Sequence, residues 1–99
     1  MVDRKFFLGF IRIHILHHAQ VEPIFGVMMI EELAQHGYTL SPGTLYPILH
    51  EMERGGYLRK KERIVGGKIR KYYSITKKGR QVLKDAKNKI NELVSEVLE

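Results

Sequence analysis

His14 and His18 stand four residues apart, the spacing at which two imidazoles on one helix can hold the same metal ion, and His17 lies between them. No acidic residue lies among them in sequence, and histidines at the end of a helix also suit its negative pole, so no metal site is assigned. Cysteine is absent, which excludes thiolate ligands and a disulfide framework. Neither a nucleophile motif nor a phosphate-binding loop appears, and the reading is that the chain is not an enzyme and carries no cofactor.

Two other stretches hold more promise. The segment "SPGTLYPILHEM", residues 41–52, places Leu45, Ile48, Leu49 and Met52 at the i, i+3, i+4, i+7 spacing of an amphipathic helix, yet it also contains Pro42, Gly43 and Pro47. Pro42 at the first helical position is harmless, because its missing N–H would have no intrahelical partner. Pro47 lies deeper, where proline costs about 3 kcal/mol in propensity alone. On a helical wheel Gly43, Tyr46, Pro47, His50 and Arg54 occupy the polar side, opposite the apolar stripe. The second stretch runs from Tyr57 to Arg80 and holds ten basic residues and one acidic one, a net charge of +9. The rest of the chain has seven basic and ten acidic residues, a net of −3, so the total of +6 is concentrated in one block. Such a block suggests a polyanionic partner.

Ninety-nine residues suffice for one domain, or one domain with an appended helix. Asp3 is a candidate N-cap for a first helix spanning residues 3–19. Its apolar residues point in nearly every direction, so one side should face the core and the other a second subunit. Arg12 and His14 interrupt that run, which is too short to cross a bilayer, and no cleavage site follows, so neither anchor nor signal peptide is expected. The expected home is the cytoplasm. After the break at Glu22-Pro23, a second helix is predicted from Phe25 to His36. Its inner stripe is Val27, Ile30, Leu33 and Ala34, while Glu31, Glu32 and Gln35 point outward. Gly37 stands where a left-handed cap belongs, and Ser41 is the N-cap of the third helix. Gly55-Gly56 ends that helix. Residues 57–65 and 68–75 then read as strands joined by the two-residue turn Gly66-Gly67. Thr76 caps a last helix in which Leu83, Ala86, Ile90, Leu93 and Val97 form a heptad seam.

A mainly α chain with a small β-hairpin results: a winged helix-turn-helix over residues 1–75 and a C-terminal dimerisation helix over 76–99. Phe6, Phe10 and Ile13 of the first helix are assigned to the dimer interface with Leu83, Ala86, Ile90, Leu93 and Val97.

"SPGTLYPIL", "ERGGYL" and "GGKIRKYYSITKKG" together resemble the PadR family of transcriptional regulators, and the resemblance covers essentially the whole chain. It implies a winged-helix homodimer that binds double-stranded operator DNA, usually as a repressor, with the C-terminal helix supplying the dimer contact. The single C-terminal helix resembles the shorter members. Some of those bind flat aromatic drugs between tryptophans at the dimer interface, and this sequence has no tryptophan; at helical spacing Phe6, Phe7 and Phe10 read first as core residues, and second as the lining of a pocket for a small aromatic effector. The sequence also has "MERGGYL" where a leucine and a single glycine are commoner.

For DNA the expected contacts come from two elements. The third helix should enter the major groove with Ser41, Gly43, Thr44, Tyr46, Pro47, His50 and Arg54, Gly43 letting the backbone approach closely. The hairpin should reach the adjacent backbone or minor groove with Arg63, Lys68, Arg70 and Lys71. The rival is a winged-helix module that binds protein or RNA, which the basic hairpin disfavours.

Overall fold

The computed structural model describes residues 3–99. Four helices and one hairpin follow in the order α1 (Leu8–Val21), α2 (Gly26–Gln35), α3 (Pro42–Arg54), β1 (Leu58–Val65), β2 (Lys68–Ile75) and α4 (Lys77–Val97). Residues 1 and 2 of the 1–75 segment lie outside the described residues.

One apolar cluster holds these elements together. Ile11, Ile15, Leu16 and Ala19 of α1 meet Met29 and Leu33 of α2, and Leu45, Ile48, Leu49 and Met52 of α3. Leu58, Tyr73 and Ile75 of the hairpin and Leu83 of α4 close it. The whole apolar stripe of α3 is thus buried, which turns its proline-bearing side outward. The helix runs unbroken through Pro47. Proline has no N–H, so the usual bond to the carbonyl of Gly43, four residues earlier, is not made.

The first helix begins later than Asp3. Residues 4–7 form turns in which the N–H groups of Phe6 and Phe7 donate to the Asp3 backbone carbonyl, Phe7 takes the N-cap position with no side-chain cap, and the helix continues to Val21. Packing of Ile11 and Ile15 sets this helix, rather than a capping side chain. The second helix is also rotated from its predicted phase. Met29 and Leu33 are buried with Gly26, Ile30 is half-buried, and Val27 and Ala34 are exposed. Glu32, expected to point outward, is half-buried against α1.

Ile24 adds a contact that periodicity does not reveal. Its N–H donates to the Tyr73 carbonyl at 2.9 Å and its carbonyl accepts from the Tyr73 N–H at 2.8 Å, making an antiparallel bridge on the side of β2 away from β1. The hairpin is thereby sewn to the start of α2. Its register pairs Leu58 with Ile75, Lys60 with Tyr73, Arg63 with Arg70 and Val65 with Lys68. Gly66 and Gly67 have φ of 58° and 77°; two successive left-handed residues match the twist of the strands, and glycine takes that conformation without a Cβ penalty. The far end of the hairpin leaves the core: Ile64 and Ile69 face each other, 79% and 68% exposed.

The C-terminal helix is anchored through its first half. The Thr76 hydroxyl accepts from the Gly79 N–H at 3.0 Å and donates to the Gly56 carbonyl, while the Lys78 ammonium donates to the Gly55 carbonyl at 2.7 Å. Leu83 is buried and Ala86 and Ile90 are half-buried. Beyond Ile90 cover thins among the described residues: Leu93 and Val94 are about half exposed, Val97 is 64% and Leu98 76% exposed. Phe6 is 81% exposed, and Phe10 is exposed as well.

Candidate nucleic-acid interface

The buried stripe of α3 forces Tyr46, Pro47 and His50 to the surface, and the hairpin folds back beside them. Tyr46, Pro47 and His50 line one wall of a groove whose other wall is Lys60, Lys71 and Tyr73, with a volume of about 370 Å³. A second groove of about 420 Å³ adjoins it at Tyr46 and Lys71. It is lined by Phe25, Gly26 and Val27 at the start of α2 and by Val65, Lys68, Ile69 and Arg70 at the outer half of the hairpin. Together they form one concave, basic surface between the helix-turn-helix and the wing.

Tyr46 owes its position to Gly26. A Cβ built on Gly26 would overlap the Tyr46 hydroxyl and ring carbon, so the phenol lies directly on the α2 backbone. Tyr46 is therefore both packed against α2 and exposed on its other side. Gly43 differs: a Cβ there would meet only the Ser41 Oγ, at an ordinary 3.8 Å. Among the described residues nothing requires glycine at that position.

From the second groove a run of stacked rings and guanidinium groups continues across the hairpin and braces it. Arg70 lies over the Phe25 ring with its central carbon 4.3 Å from the centroid, Phe25 meets Tyr72 edge-on at 5.5 Å, and Arg63 lies over Tyr72 at 5.1 Å. Arg63 and Arg70 are also direct cross-strand partners. Like charges directly opposite each other destabilise a hairpin, and the aromatic faces offset part of that cost. The positive charge is not cancelled.

Of the residues read from sequence, Tyr46, Pro47, His50, Lys68, Arg70 and Lys71 come together at the grooves. Ser41, Gly43 and Thr44 sit at the start of α3 outside the groove linings; Ser41 takes the N-cap backbone position but donates its hydroxyl hydrogen to Thr44 Oγ1 at 3.3 Å instead of capping. Arg54 lies in the last turn of α3, outside both grooves, and Arg63 lies over Tyr72. Lys60 and Phe25 escaped the sequence reading. Lys60 was within reach, since a two-residue turn at Gly66-Gly67 fixes it opposite Tyr73, on the same side as Lys71. Phe25 had no comparable signal, because its place depends on the Ile24 bridge.

A separate polar cluster joins α1 to the end of α2. His18 Nε2 lies 3.6 Å from Glu32 Oε1, His14 stacks on His36 with ring centroids 4.6 Å apart, and Tyr38 flanks His14. Burial holds both His14 and His18 below the ordinary histidine pKa. The neighbouring imidazoles, His36 foremost for His14 and His17 for His18, push the same way, and Glu32 opposes them.

Three helices, a tight turn and a basic hairpin seated beside the third helix define a winged helix-turn-helix protein. The transcriptional regulator PadR-like family model matches residues 15–85. The transcriptional regulator Rv3488 of Mycobacterium tuberculosis is 43% identical over 95 residues, covering 96% of this chain and 89% of that protein. A PadR family regulator from Eggerthella lenta superposes with a TM-score of 0.81 at 31% identity, covering 96% of this chain and 87% of the other. A PadR-like transcription factor from Bacteroides fragilis superposes with a TM-score of 0.83 at 27% identity, covering 97% and 94%. The chain belongs to the PadR-like family of transcriptional regulators. Among the described residues no helix is long and apolar enough to cross a membrane.

Proposed function

We propose that the protein is a sequence-specific, double-stranded-DNA-binding regulator that acts as a homodimer and represses transcription in the cytoplasm. The observation that carries the reading is the groove in which Tyr46, Pro47 and His50 of α3 face Lys60, Lys71 and Tyr73 of the wing. Groups of different chemistry share the exposed side of α3: a phenol, an apolar ring and an imidazole. They suit base edges, sugars and thymine methyls in a major groove. The lysines of the wing suit phosphates and read no sequence. Ser41 and Thr44 stand at the N-terminal end of α3, where free N–H groups favour a phosphate.

The thinly covered second half of α4 supports dimerisation. Leu93, Val94, Val97 and Leu98 are exposed on a helix whose first half is anchored to the winged domain. A second copy would cover them, with Phe6, Phe10 and the half-buried Ile13 contributing from α1. Residues 1–75 then form the reading domain and 76–99 the dimer contact. A two-fold dimer requires an inverted-repeat operator whose half-sites lie about 34–36 Å apart, or a multiple of that spacing.

Binding to fragmented genomic duplex DNA across a salt series, followed by sequencing of the retained fragments, tests this reading. Enrichment of fragments sharing an inverted repeat is the expected result. Retention with no shared sequence would overturn sequence-specific reading, and preference for structured RNA in competition would favour the rival.

A further inference from the structure

The cluster between α1 and α2 is built from two one-turn pairs. His14 and His18 are four apart on α1; Glu32 and His36 are four apart at the end of α2, His36 being its C-cap. Each pair therefore projects from one side of its own helix. In the folded chain one donor atom each from His18, Glu32 and His36 lie within 4.8 Å of one another. His14 stacks on His36 at the edge of the same cluster.

We propose that His18, Glu32 and His36 form a binding site for a divalent transition-metal ion of the zinc type. Two imidazoles and one carboxylate suit zinc and its borderline neighbours, whereas magnesium and calcium take oxygen donors. Tetrahedral coordination with bonds of about 2.0–2.1 Å sets donors roughly 3.3 Å apart. His18 and Glu32, at 3.6 Å, are almost at that spacing, and closing the rest requires movements that side-chain torsions supply. Among the described residues no hydrogen bond from the protein engages any of these rings or the Glu32 carboxylate. The donors are half-buried or exposed, so an ion can enter without unfolding the core. The site shares no residue with the grooves between α3 and the wing.

An ion held there would tie α1 to the last turn of α2, immediately before the Gly37–Leu40 turn that leads into α3. Binding only the folded state, it would also raise stability by mass action. Protein without a histidine tag, dialysed against chelator, is titrated with zinc chloride and separately with magnesium chloride by calorimetry, with Tm measured in parallel. The expected result is saturable binding of one zinc per chain, a higher Tm with zinc, and no response to magnesium. Cobalt(II) in place of zinc should give the visible absorption of a tetrahedral nitrogen and oxygen site. His18→Gln and Glu32→Gln should each weaken zinc binding by at least about tenfold, as loss of a direct ligand exceeds the effect of an outer one. His36→Asn, an exposed cap that tolerates asparagine, provides the same test with little risk to folding. Absence of saturable zinc binding, or binding undiminished in His36→Asn and Glu32→Gln, would overturn the site. DNA binding by metal-free protein reports on the proposed function alone and is unaffected by that failure.

Discussion

The guanidinium of Arg70 lies over the ring of Phe25, 4.3 Å from its centroid, and this contact ties the wing to the first turn of the helix-turn-helix. It gives Arg70 two tasks that substitution can separate. Phe25→Leu removes the aromatic face but leaves the charge. The expected cost is about 0.5–1 kcal/mol of stability, with weaker DNA binding and an unchanged salt slope. Arg70→Ala removes the charge itself. Where Arg70 meets a phosphate, the slope of log affinity against log salt should fall by about one, and fluorescence anisotropy across a salt series with both variants checks this.

Tyr46 and Gly26 are coupled more tightly. Gly26→Ala places a methyl group where the Tyr46 phenol lies, and the phenol, as the far end of a side chain, should swing away while the core stays intact. The expected result is a folded protein, with Tm lowered by a few degrees, whose ranking of operator sequences changes in the same direction as in Tyr46→Leu. If competition among operator variants gave the wild-type ranking for both substitutions, Tyr46 would have no part in reading sequence.

Much of this surface was legible from residue spacing. The apolar stripe of α3 left only one side on which Tyr46, Pro47 and His50 could stand, and Gly66-Gly67 fixed both the turn and the strand register. What escaped depends on contacts between distant segments. Ile24 and Phe25 form too short a run to show a strand period, and their roles arise from pairing with Tyr73 and stacking under Arg70. The phase of α2 was misread because Gly26, with no side chain, carries no hydrophobic signal, yet it is buried under Tyr46. Glu32 is fourteen residues from His18 in the chain, so only the crossing of α1 and α2 makes them neighbours. Asp3 shows the opposite error: a good capping residue stood before an apolar run, but packing of Ile11 and Ile15 set where the helix began.

Gly43 separates stability from binding. Since a Cβ there meets nothing closer than 3.8 Å, Gly43→Ala should leave stability unchanged or raise it by up to about 1 kcal/mol, because alanine loses less backbone entropy in a helix. The same methyl group would stand between the α3 backbone and bound DNA. Affinity for the operator should fall while Tm holds or rises. Thermal unfolding and operator titration of one preparation measure both.

The exposed apolar end of α4 sets the last expectation. Val97 lies on the same seam as the buried Leu83, two heptads later, but is largely open to solvent. An aspartate there costs little in an isolated monomer, because the site is already open to water; in a dimer it would bury a carboxylate against apolar side chains, which is costly without a partner. Leu93→Asp and Val97→Asp should therefore shift the protein from dimer to monomer in analytical ultracentrifugation while preserving the far-ultraviolet helical signal. Each monomer reads only one half-site, so operator affinity should fall far more than affinity for an isolated half-site. A variant that stayed dimeric would move the interface away from the end of α4, leaving Phe6, Phe10 and Ile13 of the first helix as the surface to substitute next.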